Sequence, residues 1–188
     1  MFRLPEKSII WDSKTMQITL SPLQIKDIDR VMQIERISFT ESVVETAGVY
    51  EQRFRVFKEG NLGYFYDGTL IGFFCSELWK YEVEYSLSRF SLDHDISEYH
   101  DQKGTELYIS SFAVDKRYRD RLRGKTAFAL GMKHMCESFQ IKSAILLVAE
   151  RWIAARNIYT QWGFKDIRWI EHFFENGAGI IMRTGIPG

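Results

Sequence analysis

Two cysteines, Cys75 and Cys136, are all that 188 residues contain, and neither has a partner at metal-ligand or redox spacing. That excludes a disulfide framework and a thiolate metal site, and it fits free thiols acting as small core residues in a reducing, cytoplasmic setting. No metal is expected. Nowhere do 18 apolar residues run together, and the opening stretch "MFRLPEKSIIWDSKT" has no long apolar region, so neither export nor membrane spanning is expected. An excess of charge is missing too: 25 basic residues balance 25 acidic ones, which argues against the broad basic surface a nucleic-acid or acidic-membrane binder needs. Repeats and low-complexity tracts are also missing. With 45% hydrophobic residues the chain can bury one sizeable core, and a single domain over residues 1–188 is expected, with 1–15 as an N-terminal extension.

What is present reads as alternating strands and helices. "MQITL" has strand character, and "SPLQIKDIDRVMQIERISF" predicts a helix with Ser21 as N-cap and Pro22 at its first position. Ile28, Val31, Ile34, Met32 and Phe39 would form its core face. A second helix is expected over 41–58, ended by Gly60. Asp67-Gly68, between aromatic and aliphatic runs, predicts a hairpin turn. "ELYISSFAV" and "SAILLVA" read as strands, and "RGKTAFALGMKHMCESF" and "RWIAARNIYTQW" as helices. A closing pair of strands is expected around Asn176-Gly177. Hairpins at both ends with strand-helix units between them predict an α/β or α+β fold around one mixed sheet.

The stretch "AVDKRYRDRLRGKTAFAL" sets Lys116, Arg117, Arg119, Arg121, Arg123 and Lys125 where a strand gives way to a helix. Cations crowded at the positive end of a helix are unfavourable unless an anion joins them, which suggests phosphate held by backbone amides of residues 121–126 and by neighbouring side chains. A solvated basic turn is the plain alternative. "GKT" at 124–126 is not a P-loop, since Arg119 stands where that motif needs glycine.

The same stretch, "LYISSFAVDKRYRDRLRGKTAFALGM", resembles the central motif of the Gcn5-related N-acetyltransferases: a strand ending in Val, four residues, then Arg or Gln, x, x, Gly, x, Gly or Ala. Counted from Val114, it falls on Arg119 to Gly124, with Leu122 in place of the first glycine. "WIAARNIYTQWGF" resembles the family's next signature through Ala155, Ile158, Tyr159, Gly163 and Phe164, with Trp152 in place of an Asn. The resemblance spans roughly residues 16 to 184. It implies a mixed sheet of about six to seven strands flanked by about four helices, acetyl-coenzyme A as co-substrate, and transfer to a primary amine. It also implies that Phe112, Ala113 and Val114 pair with the pantetheine arm, and that Arg119, Arg121, Leu122, Arg123, Gly124, Lys125 and Thr126 hold the pyrophosphate. Tyr159 is implied as the acid for the departing thiolate. A non-catalytic acyl-coenzyme A binding domain of the same fold is the alternative, suggested by Leu122 and Trp152.

Acyl transfer needs a neutral amine. With Leu147 and Val148 in the middle of one central strand, Glu106 at the start of the other is the expected base, with a water chain as its rival and Glu150 as a loop residue. His94, His100 and His134 read as structural. "YEVEYSLSRFSLDHDISEYHDQKGTE" contains an insertion over 82–104, rich in acids and aromatics. It is expected either to line the acceptor site and attract a cationic amine, or to cover the sheet edge and help the chain form a homodimer.

Overall fold

The computed structural model describes residues 11–13, 16–175 and 177–187. Most of the expected N-terminal extension, and Asn176 of the last turn, lie outside the described residues. One eight-stranded sheet runs in the order β1-β2-β3-β4-β5-β6-β8-β7. Its strands are β1 (Trp11–Ser13), β2 (Met16–Pro22), β3 (Asn61–Tyr66), β4 (Thr69–Trp79), β5 (Glu106–Val114), β6 (Ser143–Ala149), β7 (Lys165–Phe174) and β8 (Gly177–Gly185). Every pairing is antiparallel except β5 with β6. The helices are α1 (Ile28–Ser38), α2 (Ala47–Val56), α3 (Ile96–Tyr99), α4 (Gly124–Ser138) and α5 (Ile153–Gln161). The strand and helix counts exceed the expectation because β1 falls within the assumed extension and α3 is a single turn inside the insertion.

Helices cover both faces of the sheet. Val31, Ile34, Tyr50 and Phe54 of α1 and α2 pack on Phe73, Cys75 and Ala113. Phe128, Met132 and Tyr159 of α4 and α5 pack on the opposite face with Leu107, Ile109 and Phe74. Helix α4 sits close to the sheet because of Gly131, where a Cβ would lie 2.8 Å from the Phe74 ring and the Tyr64 hydroxyl. Between β3 and β4, Asp67 (φ 47) and Gly68 (φ 76) both have positive φ, the backbone a two-residue hairpin requires.

Two expectations fail. Ser21 and Pro22 do not open a helix: they finish β2, opposite Gly63 and Leu62. Proline is tolerated there because, among the described residues, β1 pairs only with residues 16–18 and no strand partner reaches the outer side of Pro22. The helical segment starts later, where the Gln24 amide donates to Asp27 Oδ2 at 2.9 Å. The helix expected over 41–58 is also broken, into a 3-10 turn at Glu41–Val43 and α2 from Ala47. The break turns Glu45 inward, where Arg53 binds both of its carboxylate oxygens at 2.5 and 2.7 Å. Among the described residues no helix is long and apolar enough to cross a membrane, and no group of His, Cys, Asp or Glu could hold a metal.

Candidate active site

Strands β5 and β6 pair from Glu106–Ser143 to Ile109–Leu146 and then part. At the same point β5 bulges against β4, with Ser111 opposite Cys75 and Ile109 opposite Ser76, so that Ser110 is the extra residue. A cavity of about 590 Å³ opens where the strands separate. One end is lined by Arg119 and Gly124 of the basic turn, and the middle by Ser110 to Val114, Leu146 to Val148 and Tyr159. At the other end stand Glu35, Ser38, Phe39, Val43, Glu45, Phe90, Leu92, Phe173 and Phe174.

The basic turn is tied down by Asp115. Its buried carboxylate takes Arg117 at 2.7 Å and Arg30 of α1 at 2.6 Å, and these bonds hold it well below the usual carboxylate range. Arg117 is therefore held within the turn, sharing one carboxylate with Arg30, and Arg121 pairs with Asp120 at 3.3 Å. Among the described residues no carboxylate pairs with Arg119, Arg123 or Lys125. The amides of Arg121 and Leu122 both donate to the Tyr118 carbonyl at 2.9 Å, and the Leu122 side chain is buried in the main core. Of the stretch expected to hold phosphate, the amides of Arg123 to Thr126 remain, at the N-terminus of α4, where no side chain caps the helix. Leucine replaces the expected glycine because that position packs inward.

Trp152 likewise has a packing role. Its ring lies 5.4 Å from Phe39 and 5.8 Å from Phe174, joining α1, α5 and β7 in one cavity wall. Tyr159 lies in that cavity with its ring 5.0 Å from Phe128 and 6.1 Å from Phe164. Burial pushes its phenol above the ordinary value of 10.0, so it remains protonated throughout the neutral range.

Glu106 does not line the cavity. It is fully buried at the far end of β5, where it accepts from Tyr85 at 2.5 Å and pairs with Arg183 at 2.9 Å. Arg183 also donates to the carbonyl of Glu82 at 2.9 Å, so this cluster fastens the start of the insertion to β8. Glu106→Gln is therefore expected to cost about 3 kcal/mol of stability, the lower end for breaking a buried ion pair, and to leave turnover per folded molecule within about twofold. Thermal melting together with active-site-normalised rates would check this. A large turnover loss at unchanged stability would restore Glu106 as the base.

The insertion contributes Phe90, Ser91 and Leu92 to the cavity, and none of its carboxylates. Asp95 caps α3 and accepts from Gln52 at 2.6 Å, and Glu82 pairs with Arg89 at 2.9 Å. The interleaved aromatics surround the insertion's own Arg89, whose guanidinium lies 5.7, 5.0 and 5.2 Å from the rings of Trp79, Tyr85 and Tyr99. His94 meets Glu77 at 2.6 Å, and His100 accepts from the Leu78 amide at 3.2 Å. Both histidines thus make structural contacts.

Sequence reasoning missed Glu35 and the buried chain of Glu45, Arg53 and Glu77 that ends on His94. Glu35 is 1% exposed, and burial, reinforced by nearby Glu45, raises its carboxyl to about 7, although a hydrogen bond from Tyr50 opposes the shift. The available signal was a single charged residue beside the apolar face of α1.

The model of the Acetyltransferase (GNAT) family matches residues 28–164. The spermine/spermidine N(1)-acetyltransferase of Bacillus subtilis is 26% identical over 104 residues, 55% of this chain and 58% of that protein. The chain thus spans little more than half of that relative's length. The N-alpha-acetyltransferase of Sulfurisphaera tokodaii is 24% identical over 164 residues, 85% of this chain and 87% of that one. Among solved structures, Ard1 from Thermoplasma volcanium superposes with a TM-score of 0.71 at 22% identity, covering 91% of this chain and 99% of that one.

Proposed function

The chain belongs to the GNAT family of acetyl-coenzyme A dependent N-acetyltransferases, and we propose that it moves the acetyl group directly to a primary α-amine that carries an apolar neighbour. The observation that carries this reading is the parting of β5 and β6 after Ile109 and Leu146, which joins the basic turn, Tyr159 and an apolar pocket in one cavity. In this reading the pyrophosphate meets the amides of Arg123 to Thr126, with Arg119 and Arg123 supplying charge, and the pantetheine arm lies along Phe112, Ala113 and Val114. Tyr159 protonates the departing thiolate. Leu122 and Trp152, the residues that motivated a non-catalytic alternative, both pack instead.

The acceptor follows from the opposite end of the cavity. Phe39, Val43, Phe90, Leu92, Phe173 and Phe174 bound it together with Glu35 and with Glu45, whose charge Arg53 already meets, whereas no acid of the insertion lines it. That favours an apolar acceptor over a polyamine. Energetics agree: neutralising a lysine-like amine at pH 7 costs about 4–5 kcal/mol, against about 1 kcal/mol for an α-amine. The relative named for N-alpha-acetylation points the same way.

Thiol release at saturating acetyl-coenzyme A, measured with leucinamide, a short peptide beginning with leucine, and spermidine, tests the proposal. The first two should exceed spermidine by at least about tenfold in kcat/KM, and the reverse order would return the cationic amine. Arg119→Glu with Arg123→Glu should weaken coenzyme binding at least about tenfold, or 1.4 kcal/mol. Unchanged affinity would leave the basic run as solvated surface.

A further inference from the structure

Three residues that line this one cavity, Glu35, Ser38 and Ser110, each carry a buried side-chain oxygen with no hydrogen-bond partner among the described residues: Oε2, Oγ and Oγ in turn. Buried polar atoms are nearly always partnered, and an unmet carboxylate oxygen is the most expensive kind to leave alone. Glu35 and Ser38 lie three residues apart on α1 and so share a helix face. Ser110 is the extra residue of the β5 bulge, where that strand leaves β6. The three residues thus meet one cavity from two elements, α1 and β5.

The neighbouring carboxylates are already engaged. Arg53 holds both oxygens of Glu45, Glu77 is shared by His94 and Trp79, and Glu106 is held by Arg183 and Tyr85. Glu35 differs. Its Oε1 accepts the Glu45 amide at 3.4 Å, and the Tyr50 phenol also faces the carboxylate and opposes its upward shift, while Oε2 has no hydrogen bond of normal geometry among the described residues.

Resting on the reading above, we propose that Glu35 is the catalytic base: its Oε2, with the hydroxyl oxygens of Ser38 and Ser110, receives the acceptor ammonium and removes one proton from it. The nitrogen lone pair then forms the N–C bond to the thioester carbonyl carbon. The C–S bond breaks with its electron pair on sulfur, which takes the Tyr159 proton. The phenolate recovers a proton from the acylated nitrogen, and Glu35 releases its own to solvent as product leaves, so one proton is lost per turnover. A carboxyl raised to about 7 by burial is matched to an α-amine near 8, so the first transfer is close to balanced.

Glu35→Gln keeps Oε1 as an acceptor for the Glu45 amide, and at pH 8 it removes a buried negative charge, so folding is preserved. With the leucine peptide, wild-type kcat/KM should rise with pH about a midpoint near 7 and then follow the ionisation of the amine. The variant should lose about 10²- to 10⁴-fold at pH 7 and lack the midpoint near 7, recovering only as the amine deprotonates by itself. Its acetyl-coenzyme A affinity should equal that of the wild type. Wild-type kcat/KM with an unchanged profile in the variant overturns the proposal, as does a wild type that binds acetyl-coenzyme A yet acetylates none of the three amines. Failure of the underlying reading looks different: spermidine would then exceed both leucine substrates, and the Glu35→Gln loss with its missing midpoint would still be read with spermidine.

Discussion

Tyr159→Phe should turn over about 10²- to 10⁴-fold more slowly than the wild type, while acetyl-coenzyme A affinity and melting temperature stay nearly unchanged. The substitution removes one hydroxyl from a ring that packs on Phe128 and Phe164, so the core keeps its volume. In the proposed mechanism only the proton destined for sulfur is lost. Because burial holds the phenol protonated through the neutral range, the wild type should also show no loss of rate from this group as pH rises toward 9. Single-turnover thiol release, with coenzyme binding measured separately, resolves the two effects. A Phe variant at full speed would reduce Tyr159 to a core residue, and one that also loses coenzyme binding would make it a wall of the cleft.

The parts of this arrangement that were legible in the sequence are local. Strands 106–114 and 143–149 stand where their apolar runs put them, and Asp67-Gly68 turns the chain because both residues adopt positive φ. The basic turn is legible for the same reason, since strand, loop and helix N-terminus are contiguous. Ser21-Pro22 misled because a serine before a proline has the same appearance at a helix start as at a strand end, and pairing with Gly63 and Leu62 decided between them. The acids of the insertion left two readings open for a different reason: charge is visible in a sequence, but its partner is not, and Gln52 and Arg89 hold two of them. Glu35 was invisible because its proposed role comes from one oxygen that the fold leaves without a partner. A periodic apolar face passes over one carboxylate without marking it, and its meaning depends on Ser110, 75 positions away, bulging from another strand.

The buried chain beneath the acceptor pocket should be the least replaceable part of the fold, and Arg53→Met is its test. Arg53 is 1% exposed, binds Glu45 through two nitrogens, approaches Glu77 at 4.0 Å and lies 5.6 Å from the Tyr50 ring centre. Methionine fills much of the volume but leaves Glu45 in the interior with no counter-charge and Glu77 with His94 as its remaining ionisable partner. Breaking a buried pair on one side costs about 3–5 kcal/mol, and two affected carboxylates place this variant at the upper end. At about 2–4 °C per kcal/mol for a chain of this size, melting should fall by roughly 8–20 °C. The sign with pH is fixed. An unpaired buried carboxylate binds its proton more tightly folded than unfolded, so the stability of the variant should decline as pH rises from about 5 to 8, widening its gap to the wild type. Adding Glu45→Gln and Glu77→Gln should recover much of the loss, because the desolvated charges go with the residues. Function should follow the same anchor: His94 holds the insertion that carries Phe90 and Leu92 into the cavity, so below the melting transition the acceptor KM of Arg53→Met should rise more than that of acetyl-coenzyme A. Melting within about 2 °C of the wild type across that pH range would mean water reaches these groups and the chain is not sealed, and equal changes in both KM values would separate the network from the acceptor pocket.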